Sequence, residues 1–351
     1  MSERTGDLDA WRRARRRLLT RGVRGAIAMG LTGLGATSLA RDAAAPAVDV
    51  PEGASLQAAI DRAEPGEVIR VGAGTFTETV VIEKPLTLLG AGYGRTVLSA
   101  DRGVFRWSGL PRERYVVGAL NVRDTRDVNI VGFTLRDALE GVWISASRNV
   151  RIRDCMSCEH DSSGYYLWAS QDCIVERCEG STSAVGIYQG NSVDITIQRN
   201  VFRHNHGGRV PHLDNDRYPG IGILMGNVSL GCMVIGNALI DNVDWGVGVS
   251  LGVRDVRLLA NEIRRNDVGV FAGERNVRMH GNAVTDNATF GVDGAGTEVD
   301  ARHNWWGAED GPGGVGPGGG DAVTDGVRYR PWRATPAPVP SHGPREDPPE
   351  P

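Results

Sequence analysis

Lysine is almost missing from this chain: Lys84 is the only one, so 38 of its 39 basic residues are arginine. A lysine base is therefore excluded from the part of the chain that follows, and proton abstraction there must use His, Tyr, Arg or a carboxylate. Aromatic residues make up only 6% of the 351 positions, and no uncharged apolar run is long enough for a stable membrane span. The five cysteines are odd in number, and their spacing does not match a pair-of-pairs zinc motif. Glycine, in contrast, is abundant at 48 residues. Much glycine with few aromatics suits a chain that turns often, yet the composition falls short of a collagen-like or disordered one.

The first forty residues read as an export signal. "ARRRLLT", Ala14 to Thr20, fits a twin-arginine pattern, and a short glycine-rich apolar run follows from Gly25 to Ala40. A basic, unstructured N-terminus is the alternative reading. Residues 41–50 are expected to be a linker. Without residues 1–40 the chain keeps 31 basic and 40 acidic residues, a balance near −9. Such an acidic body argues against nucleic acid and anionic membranes as partners, because both select basic patches. The end, "PWRATPAPVPSHGPREDPPEP", is proline-rich and polar, and residues 333–351 are expected to be a disordered tail.

Between these ends the sequence repeats. "VNIVGFTL", "VRIRDCMS", "CIVERCEG", "ITIQRNVF", "CMVIGNAL", "VRLLANEI" and "VRMHGNAV" share two alternating apolar positions, followed three residues later by an anchor. The anchors are Phe133, Cys155, Cys178, Asn200, Asn237, Asn261, Asn282 and Asn304, spaced 22, 23, 22, 37, 24, 21 and 22 residues apart. Eight or nine residues after most anchors, a glycine opens a second short strand, as in "GVWI", "GYYL" and "GIYQ". Strands this short at this period, with no helices between them, predict a parallel coil in which only stacking buries each rung's apolar side. The Asn anchors predict an internal ladder bonding turn backbone, where Asn tolerates unusual dihedrals. "SLQAAIDRA", Ser55 to Ala63, reads as an amphipathic helix with a serine cap that plugs the coil's open end.

The segment "VPEGASLQAAIDRAEPGEVIRVGAGTFTETVVIEKPLTLLGAG" and the rungs ending "GNAVTDN" and "HNWWGAEDGPGG" resemble the right-handed parallel β-helix superfamily, which includes pectin-lyase-like and NosD-like proteins. The resemblance implies an all-β, single-stranded right-handed parallel β-helix with an N-terminal capping helix over residues 51–332. It speaks for the fold and little for function, since hydrolases, lyases, epimerases, esterases and non-catalytic proteins share this architecture. The alginate-epimerase, polygalacturonase and pectin-esterase signatures are missing.

The 37-residue step marks an insertion of about fourteen residues, 206–219, inside "HNHGGRVPHLDNDRYPG". Expanded turns in a regular coil are where sites are expected. In the enzymatic reading His204, His206 or His212 is the base with Asp214 nearby, and Arg217 or Arg209 neutralises a uronate carboxylate. In a second reading His206, His212, Asp214 and Asp216 bind a divalent metal, the Asp oxygens favouring calcium and the imidazoles zinc or copper. In the third it is a solvated loop whose Asp and Arg side chains pair. The repeat places His160 and Asp161 two rungs to one side, with Asp241 and Asp244 one rung to the other. The second strand carries an outward column of Trp143, Tyr166, Tyr188, Leu224 and Phe271, suited either to stacking on sugar faces or to packing beneath a loop.

Cys173 and Cys232 occupy apolar columns, while Cys155 and Cys178 stack on adjacent rungs, where export would permit a disulfide but in-register geometry favours free buried thiols; Cys158 has no assigned place. "HNWWG", His303 to Gly307, is expected to cap the C-terminal end. The functional expectation is an exported, monomeric β-helix protein that binds or processes polysaccharide, uronate polymers included, by lyase, epimerase or hydrolase chemistry, with no obligatory cofactor. The NosD resemblance implies the alternative, a non-catalytic periplasmic accessory protein connected with copper.

Overall fold

The computed structural model describes residues 47–344 apart from 101–109, 211–214, 251, 337 and 339–341, with backbone alone for 209, 210 and 215–218. The signal region and most of the expected linker therefore lie outside the described residues. The coil begins before position 51, because Ala47–Val50 already form a strand paired in parallel with Val68–Val71.

The described chain is a right-handed parallel β-helix of about ten turns. Each regular rung has three strands rather than the two expected. The first sheet has 12 strands, the third has 11, and between them lies a second sheet of 9 strands, mostly three residues long. The rung after Val128 is representative: Arg126–Val131 in the first sheet, Thr134–Arg136 in the second, Glu140–Ser145 in the third. The short middle strand has no sequence signal of its own, because three residues are too few to display a period of two. Valine, isoleucine and leucine of successive rungs lie in register, as in Val128, Val150 and Ile130, Ile152, Val175, Ile197. They fill one continuous core that also takes in Leu56, Ala59 and Ile60 of the helix Leu56–Arg62, whose cap Ser55 accepts from the Ala58 amide.

All three corners use one device, a residue in the left-handed region followed by an inward side chain, which is polar in most rungs and apolar or a thiol in the early ones (Phe133, Ala138, Cys155, Cys178). At the first corner the left-handed residue precedes the anchor (Arg199 φ 56°, Ala260 φ 52°, His303 φ 61°), so the anchor asparagines are not there for their dihedrals. They are there for their amides. Asn200 Nδ2 donates to Asn237 Oδ1 (2.9 Å), Asn237 to Asn261 (3.0 Å), Asn261 to Asn282 (2.9 Å) and Asn282 to Asn304 (2.8 Å). A second ladder runs Asn205, Asn242, Asn266, Asn287 to Asp321, with steps of 2.8, 3.0, 3.0 and 2.7 Å. The third corner carries serines: the amides of Ser147, Ser170 and Ser192 donate to Ser170, Ser192 and Ser229 hydroxyls. These ladders satisfy corner backbone groups that have no water to turn to.

One core side chain breaks the pattern. Gln189 sits in register between Leu167 and Met225, 1% exposed, and neither its Oε1 nor its Nε2 finds a partner among the described residues. A buried unsatisfied amide costs about 1–3 kcal/mol. Gln189→Met, of similar shape, is expected to raise the melting temperature; an unchanged or lower value would refute this account.

At the C-terminal end Trp306 is fully buried in the core, and Trp332 packs against it from outside. The described part of the proline-rich tail contacts the coil, unlike the disordered tail its composition predicts. Its His342 Nδ1 lies 3.1 Å from Gly236 O and its Nε2 3.4 Å from Glu262, and the Gly343 amide donates to Arg199 O.

Candidate functional site

The insertion leaves the coil between a second-sheet strand, Val201–Arg203, and a third-sheet strand, Ile221–Gly226. It forms an antiparallel hairpin, Gly208–Val210 with Asn215–Tyr218, in which Gly208 opposes Tyr218 and Val210 opposes Asn215. Its neck is tied at both ends. The His206 amide donates to Ser183 O (3.0 Å), and the Gly220 amide donates to the Asp244 carboxylate (2.6 Å). Gly220 lies so close to Asn205 O and His206 that a Cβ would sit 2.6 Å from the former, so only glycine closes this neck. The root leans on the preceding rungs, with Asp161 O and Ala184 Cβ 3.4 and 3.5 Å from where a Gly208 Cβ would stand.

Of the proposed insertion residues, His204 and His206 are exposed at the neck. His204 occupies a left-handed corner position (φ 54°), in the same column as Thr182, Asp241 and Arg265, so the corner alone explains its backbone. His206 turns its Nδ1 to Gly207 O at 2.7 Å, which leaves Nε2 as its outward atom. Arg209, Asp216 and Arg217 lie on the hairpin strands, and His212 and Asp214 fall outside the described residues. Asp244 serves the neck itself. Beside it, Asp241 is held below the usual carboxylate range by the bidentate guanidinium of Arg265 at 2.7 and 2.6 Å. Arg203 pairs with Glu179 at 3.0 Å.

Two expectations are corrected. His160 is not a surface ligand: it is 3% exposed, its Nε2 is 3.0 Å from Ser157 Oγ, and its amide donates to Ser183 Oγ. The reason is its column. Five residues after the anchor is the inward position of the second corner, the position that Asn205 and Asn242 use for their ladder. Of the expected pair, Asp161 faces solvent.

Of the two readings of the aromatic column the packed one holds for Trp143, Tyr166 and Tyr188, which are not open to sugars, while Phe271 is half-buried. Trp143 and Tyr166 are 0% exposed and Tyr188 3%; with Leu224, Ala184 and Ile221 they make a second apolar cluster outside the coil core. In-register stacking decides this. Tyr115 lies over Trp143 at 5.7 Å, Trp143 over Tyr166 at 4.3 Å and Tyr166 over Tyr188 at 4.5 Å, so the ring faces a sugar would need are taken by neighbouring rings. The 3-10 turn Arg112–Arg114 also helps to cover the column, with the Arg112 guanidinium 4.2 Å above the Trp168 ring. Sequence reading overlooked Trp245, which stacks on Phe271 at 4.4 Å and is half-buried beside Asp244. It also overlooked Glu140, a fully buried carboxylate that accepts from the Ser162 hydroxyl and Ser163 amide, both at 2.7 Å. Its place directly before the column glycine Gly141 is the signal that could have found it.

The five cysteines are free. Burial pushes the Cys173 and Cys232 thiols up to about 12 and Cys158 to about 11, which leaves almost no thiolate near neutrality.

A three-sheet coil with polar ladders at its corners and one hairpin at an edge defines a pectin-lyase-like parallel β-helix protein. Within that class, the family model described as periplasmic copper-binding protein (NosD) matches residues 112–288, half of the chain, and the chain belongs to that family. No curated protein matches significantly. Among solved structures, an alginate lyase from Paenibacillus sp. str. FPU-7 superposes with a TM-score of 0.56 at 15% identity, over 80% of this chain and 98% of that one. A family 28 exopolygalacturonase from Yersinia enterocolitica gives 0.52 at 15% identity, over 73% and 61%. At these identities the likeness is one of fold.

The family's description raises copper. Among the described residues no three His, Cys, Asp or Glu side chains converge as a metal-binding group, and four of the five thiols are fully buried. By themselves the described residues do not assemble a copper centre. No described helix is long and apolar enough to cross a membrane.

Proposed function

We propose that this NosD-family chain is exported, by the twin-arginine route suggested by "ARRRLLT", and binds a uronate-containing polysaccharide at the edge where the hairpin leaves the coil. The observation that carries this reading is the hairpin, the one antiparallel excursion of the described coil, with exposed His204 and His206 at its neck and Arg209 and Arg217 on its strands. The guanidiniums match carboxylates bidentately. The imidazoles and Asp214 would serve proton transfer in a lyase or epimerase reaction. Two structures sharing the fold carry the names of enzymes acting on alginate and polygalacturonate, which supports this ligand class.

The test is a screen of alginate and polygalacturonate for binding, unsaturated-uronate absorbance and new reducing ends, with His206→Ala and His212→Ala beside the wild type. Binding with turnover lost in either variant is the expected result. Turnover that survives both substitutions moves the chemistry elsewhere, and binding without turnover removes the enzymatic part of the reading. The family match, which spans the hairpin, favours one second reading, a divalent metal held by His206, His212, Asp214 and Asp216. Metal analysis of protein purified without chelator decides it: stoichiometric copper or calcium lost in both His variants supports the reading, and substoichiometric metal removes it.

A further inference from the structure

At the opposite side of the coil the outer face of the first sheet carries arginines that the hairpin reading does not use. Arg254 and Arg275 each precede a core valine by two residues, Arg257 and Arg278 each follow it by one, and all four are exposed. Arg257 and Arg278 are in-register neighbours, and the column continues through Asp300 to Arg328. Adjacent strands lie about 4.8 Å apart, so two like charges stand side by side, an arrangement that is destabilising unless an anion bridges it.

The lone carboxylate of that column cannot do so. Both Asp300 oxygens are taken by Arg302 at 2.8 Å, and His280 Nε2 stands 3.2 Å from one of them. The Arg302 guanidinium, and then the imidazole, hold this carboxyl far below its usual range. Arg257 has only a 3.6 Å contact with Asp255, both side chains about half open to solvent, while Arg275, Arg278 and Arg328 have no ion-pair partner among the described residues. Around them the chain forms a polar groove of about 630 Å³, lined among others by Arg275, Arg278, Thr297, Glu298, Asp300 and Arg328. With Asp300 neutralised by Arg302, three guanidiniums face one free carboxylate, Glu298.

We propose that this groove is a second binding site, for the carboxylates of an acidic oligosaccharide, with Arg278 and Arg328 as the two guanidiniums that grip it. It rests on the function proposed above for the class of ligand only; site and residues are separate. Arg278 and Arg328 stand two rungs apart, about 9.6 Å, so they engage carboxylates on different sugars rather than a single one. The neutral, exposed Asn276 also lines the groove and can hydrogen-bond sugar hydroxyls, whereas the Thr297 hydroxyl is turned inward to Ala272 O and Gly294 O.

The experiment is calorimetric titration of the full chain with hexagalacturonate at low salt, the fully methyl-esterified hexamer serving as uncharged control. The wild type is compared with Arg278→Gln/Arg328→Gln, with Arg209→Gln/Arg217→Gln on the hairpin, and with Arg126→Gln/Arg148→Gln. The last pair removes equal charge at the other end of the same sheet, where those two are also in-register neighbours. The groove pair is expected to weaken hexagalacturonate binding at least about tenfold. The remote pair should stay within about twofold, and the esterified hexamer should not bind. Equal weakening by the groove and remote pairs means diffuse charge attraction and overturns the site. Full loss in the hairpin pair with none in the groove pair overturns the groove and leaves the hairpin reading standing. The reverse pattern overturns the hairpin and leaves the groove. A wild type that does not bind hexagalacturonate overturns the groove's proposed ligand.

Discussion

Asn261→Leu is expected to destabilise the protein by about 3–5 kcal/mol, since each buried group it strands costs about 1–3 kcal/mol. Asn261 Oδ1 accepts from the Asn237 amide (2.9 Å) and from Asn237 Nδ2 (3.0 Å), while its Nδ2 donates to Val234 O and Asn282 Oδ1, both at 2.9 Å. Leucine fills the volume but offers none of these bonds. Two donors on the preceding rung, at Asn237, lose their acceptor in a fully buried position. Because stacked rungs are stabilised by their neighbours, the loss should spread to both adjacent turns. The readouts are a lowered calorimetric transition and faster amide exchange at Asn237. A change below about 1 kcal/mol would mean that the ladder follows from the fold without supporting it.

Gly246→Ala is the second large effect, and its sign is the informative part. At an unstrained glycine, alanine stabilises by about 0.4–1 kcal/mol through the unfolded chain. At Gly246 a Cβ would stand 2.6 Å from Gly269 O, 2.9 Å from Ile263 Cγ2 and 3.0 Å from Asn266 Nδ2. The obstacle is backbone of the next rung, which cannot move without opening the third sheet. Overpacking of this kind costs about 1–3 kcal/mol. The same contact recurs up the column, with Gly186 2.6 Å from Gly222 O, Gly222 2.7 Å from Gly246 O and Gly269 2.5 Å from Gly291 O for each added Cβ. Gly319→Ala, where the nearest atom is 3.9 Å away, serves as control and should be neutral or slightly stabilising. A Gly246→Ala protein that melts with the wild type would remove the close-approach explanation of the glycine column.

Most of the coil was legible because stacking turns a one-dimensional repeat into columns. The core valines and isoleucines, the Asn anchors, the column glycines and the position of the insertion all follow from counting residues. The site was less legible, because counting gives a column but not the direction of its side chains. His160 and His204 differ by one column position: the first falls inward on the second corner's ladder, and the second on its left-handed, exposed residue. Trp143, Tyr166 and Tyr188 do point away from the core, as alternation requires, but in-register neighbours stack face to face and a covering turn dries them.

What the sequence by itself determined is therefore everything periodic: a parallel coil, its buried thiols, and one interruption rich in histidine and arginine. Stacking forces those features, since each rung sees the same two neighbours and a residue type that suits one suits the next. What only the tertiary structure decided is everything that depends on parts far apart in the chain. The turn Arg112–Arg114 reaches the Trp168 ring, the tail's His342 reaches Glu262, and Arg278 and Arg328, fifty residues apart, come from different rungs into one groove. Exposure and pairing are properties of a surface, and a surface is made by segments that no repeat relates.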